Sequence, residues 1–102
     1  MPFGLVPKHI EAIQRVFRFF PEIDQVIIYG SRAKGDEKKG SDIDLTLKGK
    51  SLDVPMLNEL SIELDDLLLP YHIDLSIYDH IDNPDLISHI ERIGKVFYEK
   101  SS

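Results

Sequence analysis

The 102-residue chain contains no cysteine, which excludes disulfides, thiolate nucleophiles and zinc–thiolate sites. No apolar run approaches the roughly 18 residues that a membrane span needs, and the N-terminus lacks the basic-then-apolar layout of a signal peptide. The expectation is a cytoplasmic protein with no membrane partner. Positive charge is also short, since 12 Lys and Arg face 18 Asp and Glu for a formal charge of −6. Affinity for a nucleic-acid backbone comes largely from cations that neutralise phosphates, so extended DNA or RNA is not expected as the main partner. One nucleotide bound through a metal ion remains compatible with an acidic protein. Repeats, low-complexity tracts and linkers are absent too, and the length predicts one domain over residues 1–102.

What is present is an ordinary globular pattern. Apolar residues at Ile10, Ile13, Val16, Phe17 and Phe20 follow the helical period and predict a helix from Pro7 to Phe20, with Phe19 off its apolar stripe. Gln25–Tyr29, QVIIY, reads as a buried strand that ends at Gly30. After a loop to Gly40, Asp42–Lys48 alternates polar and apolar residues, as a strand with one packed and one open face does. Asp53 and Pro55 open a second helix, whose stripe Leu57, Leu60, Leu64, Leu67 and Leu68 extends toward Pro70, with Ile62 and Leu69 on its other side. His72–Tyr78 alternates again, with Ile73, Leu75 and Ile77 inward. Asn83-Pro84 starts a last helix with Leu86, Ile87, Ile90 and Ile93 inward and Gly94 at its end, before a short strand Val96–Tyr98. The fold class is therefore α/β (α+β), a mixed β-sheet flanked by helices.

The chemistry concentrates in Tyr29–Leu45, YGSRAKGDEKKGSDIDL. Residues two apart in a strand share a face at about 6.6 Å, and neighbouring strands lie about 4.8 Å apart. If the two alternating strands pair, Asp42, Asp44 and Asp74 converge within reach of one or two cations. Carboxylates crowded this way repel one another and favour a proton on one of them, a penalty that a divalent cation removes. Ligation by oxygen alone predicts Mg²⁺ or Mn²⁺ rather than Zn²⁺, with water and substrate phosphates completing the shell. Across from these carboxylates, Gly30 lets the backbone approach an anion, the amides of a short helix through Ala33 face it, and Ser31 offers a hydroxyl. Arg32 and Lys34 add positive charge for a triphosphate. Together these are the parts of two-metal phosphoryl chemistry.

Gly-Ser, ten residues, Asp-x-Asp and a third Asp on a later strand resemble the nucleotidyltransferases of the DNA polymerase beta superfamily. The wording GSRAKG…SDIDL and the length are similar to the minimal nucleotidyltransferases, and the resemblance covers about Asp24 to Tyr98. It implies a polymerase-beta-like fold, with Mg²⁺ held by Asp42 and Asp44, and with Asp74 helping to bind metal and activating the acceptor hydroxyl. Gly30 and Ser31 match the residues that hold the triphosphate. Minimal members are similar to antitoxin subunits that pair with a helical HEPN-type toxin and in some cases add AMP to it. The implied function is transfer of a nucleoside monophosphate, AMP from ATP, to a hydroxyl on such a partner, with which the chain would assemble.

Blander readings stand beside these. A histidine at a strand start, as His72 is, more often serves structure, and His9, His80 and His89 are too scattered for a metal cluster. Lys38 and Lys39 sit beside Asp36 and Glu37 in what reads as a solvated loop. No histidine has a recognisable place beside Ser31 as a base, so a covalent serine mechanism is not expected. The alternative from another class is a non-catalytic, nucleotide-binding subunit that neutralises a partner by contact alone.

Overall fold

The computed structural model describes residues 2–101. Helix α1, Pro7–Arg18, has Pro7 in its first turn, where a missing amide hydrogen costs nothing, and buries Ile13 and Phe17. It ends two residues before the expected Phe20. Phe20 still reaches the core, because the Phe19 and Phe20 amides close a turn onto the Val16 and Phe17 carbonyls. Phe19 is left 79% exposed.

Four strands follow in the chain as β1, Gln25–Tyr29; β2, Ile43–Lys48; β3, Ile73–Ile77; and β4, Lys95–Glu99. They form one mixed sheet in the order β3-β2-β1-β4. The β1–β2 and β1–β4 pairs are antiparallel, and β2–β3 is parallel. A parallel neighbour needs a crossover, and α3, Val54–Asp65, supplies it between β2 and β3. Asp53 caps α3 by accepting the Met56 amide hydrogen at 2.9 Å.

Strand alternation divides the core in two. Val26 and Ile28 of β1 join Ile43, Leu45 and Leu47 of β2 in the larger cluster, where they meet Ile13 and Phe17 of α1 and Leu60 and Leu64 of α3. Ile27 and Tyr29 point to the other face and pack with Ile90 of α4, Pro84–Ile93, and with Tyr78, Ile81 and Leu86. The face expected to be open is thus covered over β1 by α4, and Thr46 of β2 is fully buried on it, so that along β2 and β3 it is accessible at the Asp44–Asp74 end. Gly94 permits this close seat: a Cβ there would lie 2.6 Å from Ile27 Cγ2 and run into the Ile90 carbonyl oxygen.

Two expectations for the helices need correction. α3 stops at Asp65 rather than continuing toward Pro70, and Leu68, expected on its buried stripe, has φ 55° and is 88% exposed. Leu69, which precedes Pro70, is disfavoured in the helical region, and the left-handed Leu68 before it turns the chain back toward β3. That turn brings Leu69 onto the core instead of the opposite side. On α4, Leu86, Ile90 and Ile93 pack inward as expected, whereas Ile87 joins neither cluster.

Candidate active site

β1 ends at Tyr29, and the next residue decides what can stand beside it. Gly30 has φ 76° and ψ −156°, a conformation open to glycine and strained for other residues. A Cβ on Gly30 would run into Asp44 Oδ2, so the missing side chain is what lets the turn and this carboxylate coexist. Beyond Gly30 a single turn of helix, α2, spans Ser31–Lys34. The first amides of any helix lack intrahelical partners, so those at Ser31 onward are free to face an incoming acceptor.

Asp44 is paired in register with Tyr29 on one side and with Asp74 on the other. The three side chains therefore lie on one face, the face that α4 covers only over β1. Asp42 precedes β2, which starts at Ile43 rather than at Asp42, and lies two residues from Asp44 along the same edge. Asp42 and Asp74 are exposed and Asp44 is half-buried. Burial first, and then the neighbouring Asp74 and Asp42 carboxylates, hold the Asp44 carboxyl above its ordinary range, while His72 opposes the rise. Burial also pushes the Tyr29 hydroxyl up, reinforced by Asp44 and Asp74, so that it stays a neutral phenol. Among the described residues, no three His, Asp or Glu side chains close up into a preformed metal cage.

Arg32 does not do what was expected of it. Its side chain is buried, and the guanidinium is occupied by backbone. Nε and Nη2 donate to the Ser41 carbonyl at 3.1 and 2.8 Å, and Nη1 donates to the Phe3 and Gly4 carbonyls at 2.9 and 3.3 Å. Its cationic plane also lies 5.0 Å from the centre of the Tyr71 ring. A side chain so engaged is not available to a triphosphate. It explains the ten-residue spacing instead: Arg32 closes the loop by holding Ser41, and so brings Asp42 and Asp44 back beside Gly30. Lys34, by contrast, is exposed and only 3.8 Å from Asp36, which leaves its ammonium free to move.

Arg32→Met keeps the stem but leaves the part-buried Phe3, Gly4 and Ser41 carbonyls without their donor. An unsatisfied group costs about 1–3 kcal/mol when fully buried and less where water reaches it, so the expected loss is roughly 1–3 kcal/mol. Urea unfolding would show it as a lower midpoint at unchanged slope, and an unchanged midpoint would refute the clamp.

Residues 11–102 match the model of the polymerase beta nucleotidyltransferase family. The chain belongs to that family. Its nucleotidyltransferase fold recurs in solved toxin–antitoxin complexes. A chain in a complex with AMP-PNP superposes with a TM-score of 0.72 at 22% identity, covering 90% of this chain and 74% of that one. A chain of the MntA–HepT toxin–antitoxin gives 0.68 at 20%, covering 93% and 74%. A chain from the tri-AMPylated HEPN toxin of Shewanella oneidensis in complex with its MNT antitoxin gives 0.67 at 20%, covering 91% and 71%. A sequence comparison with curated proteins found no match.

Two groups that the fold places beside Asp44 and Gly30 were not picked out from the sequence. Tyr29 reads as the end of a buried strand, and only the register places its ring beside Asp44. His89 reads as one of several scattered histidines. In the fold its Nε2 accepts the Gly30 amide hydrogen at 3.1 Å and its ring meets Tyr29 edge-on at 6.2 Å. No local signal marks either residue, because both roles arise from contacts between distant segments.

Proposed function

We propose that this nucleotidyltransferase moves AMP from ATP to a hydroxyl group of a HEPN-type protein partner with which it assembles. The observation that carries the proposal is the register of β2 and β3, which sets Asp74 directly beside Asp44 while Gly30 touches Asp44 from the opposite side. Supporting it are the family membership and the structural neighbours, one of which contains AMP-PNP and another an AMPylated HEPN toxin.

In this reading Asp42, Asp44 and Asp74 hold Mg²⁺ or Mn²⁺. The donor set suits a hard divalent cation, since it is all oxygen and its half-buried member already carries a repulsive penalty. When bound, the metal neutralises charge on the triphosphate and aligns the reacting oxygens. Gly30, having no side chain, lets the backbone approach the triphosphate, and the Ser31 hydroxyl and the amides that follow Gly30 hold it, with the exposed Lys34 beside them. Asp74 accepts the proton of the acceptor hydroxyl. That oxygen attacks the α-phosphorus, a new P–O bond forms as the bond to the β-phosphate bridge breaks, and pyrophosphate carries away the electron pair.

The test uses the intact chain together with a HEPN-type protein from the same source, Mg²⁺ and ATP labelled on the α-phosphate. Label should appear on the partner with the wild-type chain and not with Asp42→Asn/Asp44→Asn. Full neutralisation of the partner by the double variant, with no transfer by the wild type, would replace this reading by neutralisation through contact.

A further inference from the structure

The contact between α4 and the Gly30 turn joins two segments 59 residues apart. Gly30 follows the last residue of β1, so its amide hydrogen has left the sheet ladder and needs another partner. His89 provides one through Nε2. To accept there the ring must be neutral with its proton on Nδ1. The ring is fixed from the other side by its edge-on contact with Tyr29. Its helix is fixed by Ile90, which is buried against Ile27 and Tyr29, and by the close seat of Gly94 on Ile27. The Gly30 peptide is thus oriented by a side chain that is itself held, and the half-exposed Ser31 follows it directly, next to the point where Gly30 meets Asp44.

We infer that His89 is a positioning residue of the nucleotide site: by holding the Gly30 amide it sets the Gly30–Ser31 turn in the orientation that receives the triphosphate. This rests on the phosphate-binding role given to that turn above, and it goes further in two respects. It makes α4 part of the site although α4 supplies no carboxylate to it. It also reserves the Gly30 amide for the protein, so that phosphate oxygens are met by Ser31 and the amides after it.

The experiment compares the wild type, His89→Ala and His89→Gln, the last of which retains an acceptor at a similar reach. In ¹⁵N–¹H spectra the wild-type Gly30 amide should be protected from exchange and the His89 proton should reside on Nδ1. His89→Ala should lose the Gly30 protection and bind Mg²⁺·ATP about tenfold more weakly, the size expected for one lost hydrogen bond. Its melting temperature should stay within about 3 °C of the wild type. His89→Gln should recover most of the affinity, which a role in general packing would not predict. Equal ATP affinity in wild type and His89→Ala, or none in either, overturns the inference, as does an unprotected Gly30 amide in the wild type. ATP binding that depends on His89 but is followed by no transfer would remove the transferase reading and leave this one standing.

Discussion

Asp44→Asn is expected to reduce nucleotide transfer on the order of 10³-fold or more while leaving the protein folded, and in metal-free buffer slightly more stable than the wild type. The loss of activity follows from removing a carboxylate at the centre of the proposed metal site, where charge stabilisation contributes several kcal/mol to the barrier. The gain in stability follows from the raised Asp44 carboxyl. A carboxyl that holds its proton more tightly when folded contributes nothing below its unfolded pKa of about 3.9, where both states are protonated. As pH rises through the window up to the raised folded value, the folded state keeps more protons than the unfolded one, and stability falls. Asparagine lacks that fall. Thermal melts in EDTA should therefore place Asp44→Asn at or above the wild type at neutral pH, with the difference vanishing below about pH 4. Added Mn²⁺ should raise the wild-type melting temperature and leave the variant unmoved. A variant destabilised in EDTA, or one that gains as much from Mn²⁺ as the wild type, would show that Asp44 is not the crowded carboxylate of a metal site.

Gly30→Ala should be nearly as damaging to activity and, unlike Asp44→Asn, should also destabilise the fold. Two costs act together. The φ of 76° is strained for alanine by about 1–3 kcal/mol, and the new methyl meets Asp44 Oδ2. Either the turn or the carboxylate must move, and a displacement of about 1 Å in a positioned group can cost on the order of 10²-fold in rate. A double-mutant cycle separates the two costs. In an Asp44→Ala background the steric part disappears, so Gly30→Ala should there lose only the strain of the left-handed conformation. Strict additivity of the two substitutions in urea unfolding would mean that Gly30 and Asp44 do not share the space the structure gives them.

The placement of the residues proposed for the site was legible in the sequence because it depends on local pattern. Asp44 and Asp74 stand at alternate-face positions of two strands whose polar–apolar alternation is plain, and Gly30-Ser31 closes an apolar run. Strand identity and side-chain face follow from a period of two, which needs no knowledge of the rest of the chain. The helices were legible for a similar reason, through Pro7, Asp53 with Pro55, and Asn83-Pro84 at their starts. Their ends were less so. The stripe of leucines continued past Asp65, whereas the turn at Leu68 was imposed by the need to return to β3, a demand that comes from the sheet.

Arg32 shows the limit most clearly. An arginine beside a Gly-Ser turn carries the right charge for a phosphate, and nothing in its neighbours says that it will be buried. Its partners are backbone carbonyls of Phe3, Gly4 and Ser41, which every residue type possesses and no sequence pattern advertises. The same holds for His89, whose partner is the Gly30 amide.

The sequence by itself determined which groups the proposed chemistry can draw on: the three aspartates, the glycine and serine of the turn, and the period that puts Asp44 and Asp74 at alternate-face positions. Tertiary structure alone decided how they meet. The parallel register of β2 and β3 sets Asp74 beside Asp44, α4 closes half of the face over β1 and brings His89 to Gly30, and Arg32 draws the loop shut from inside. The division has a physical cause, since side-chain type and strand period are properties of short segments. Register, burial and hydrogen bonds to backbone atoms depend instead on which distant segments the hydrophobic core brings together.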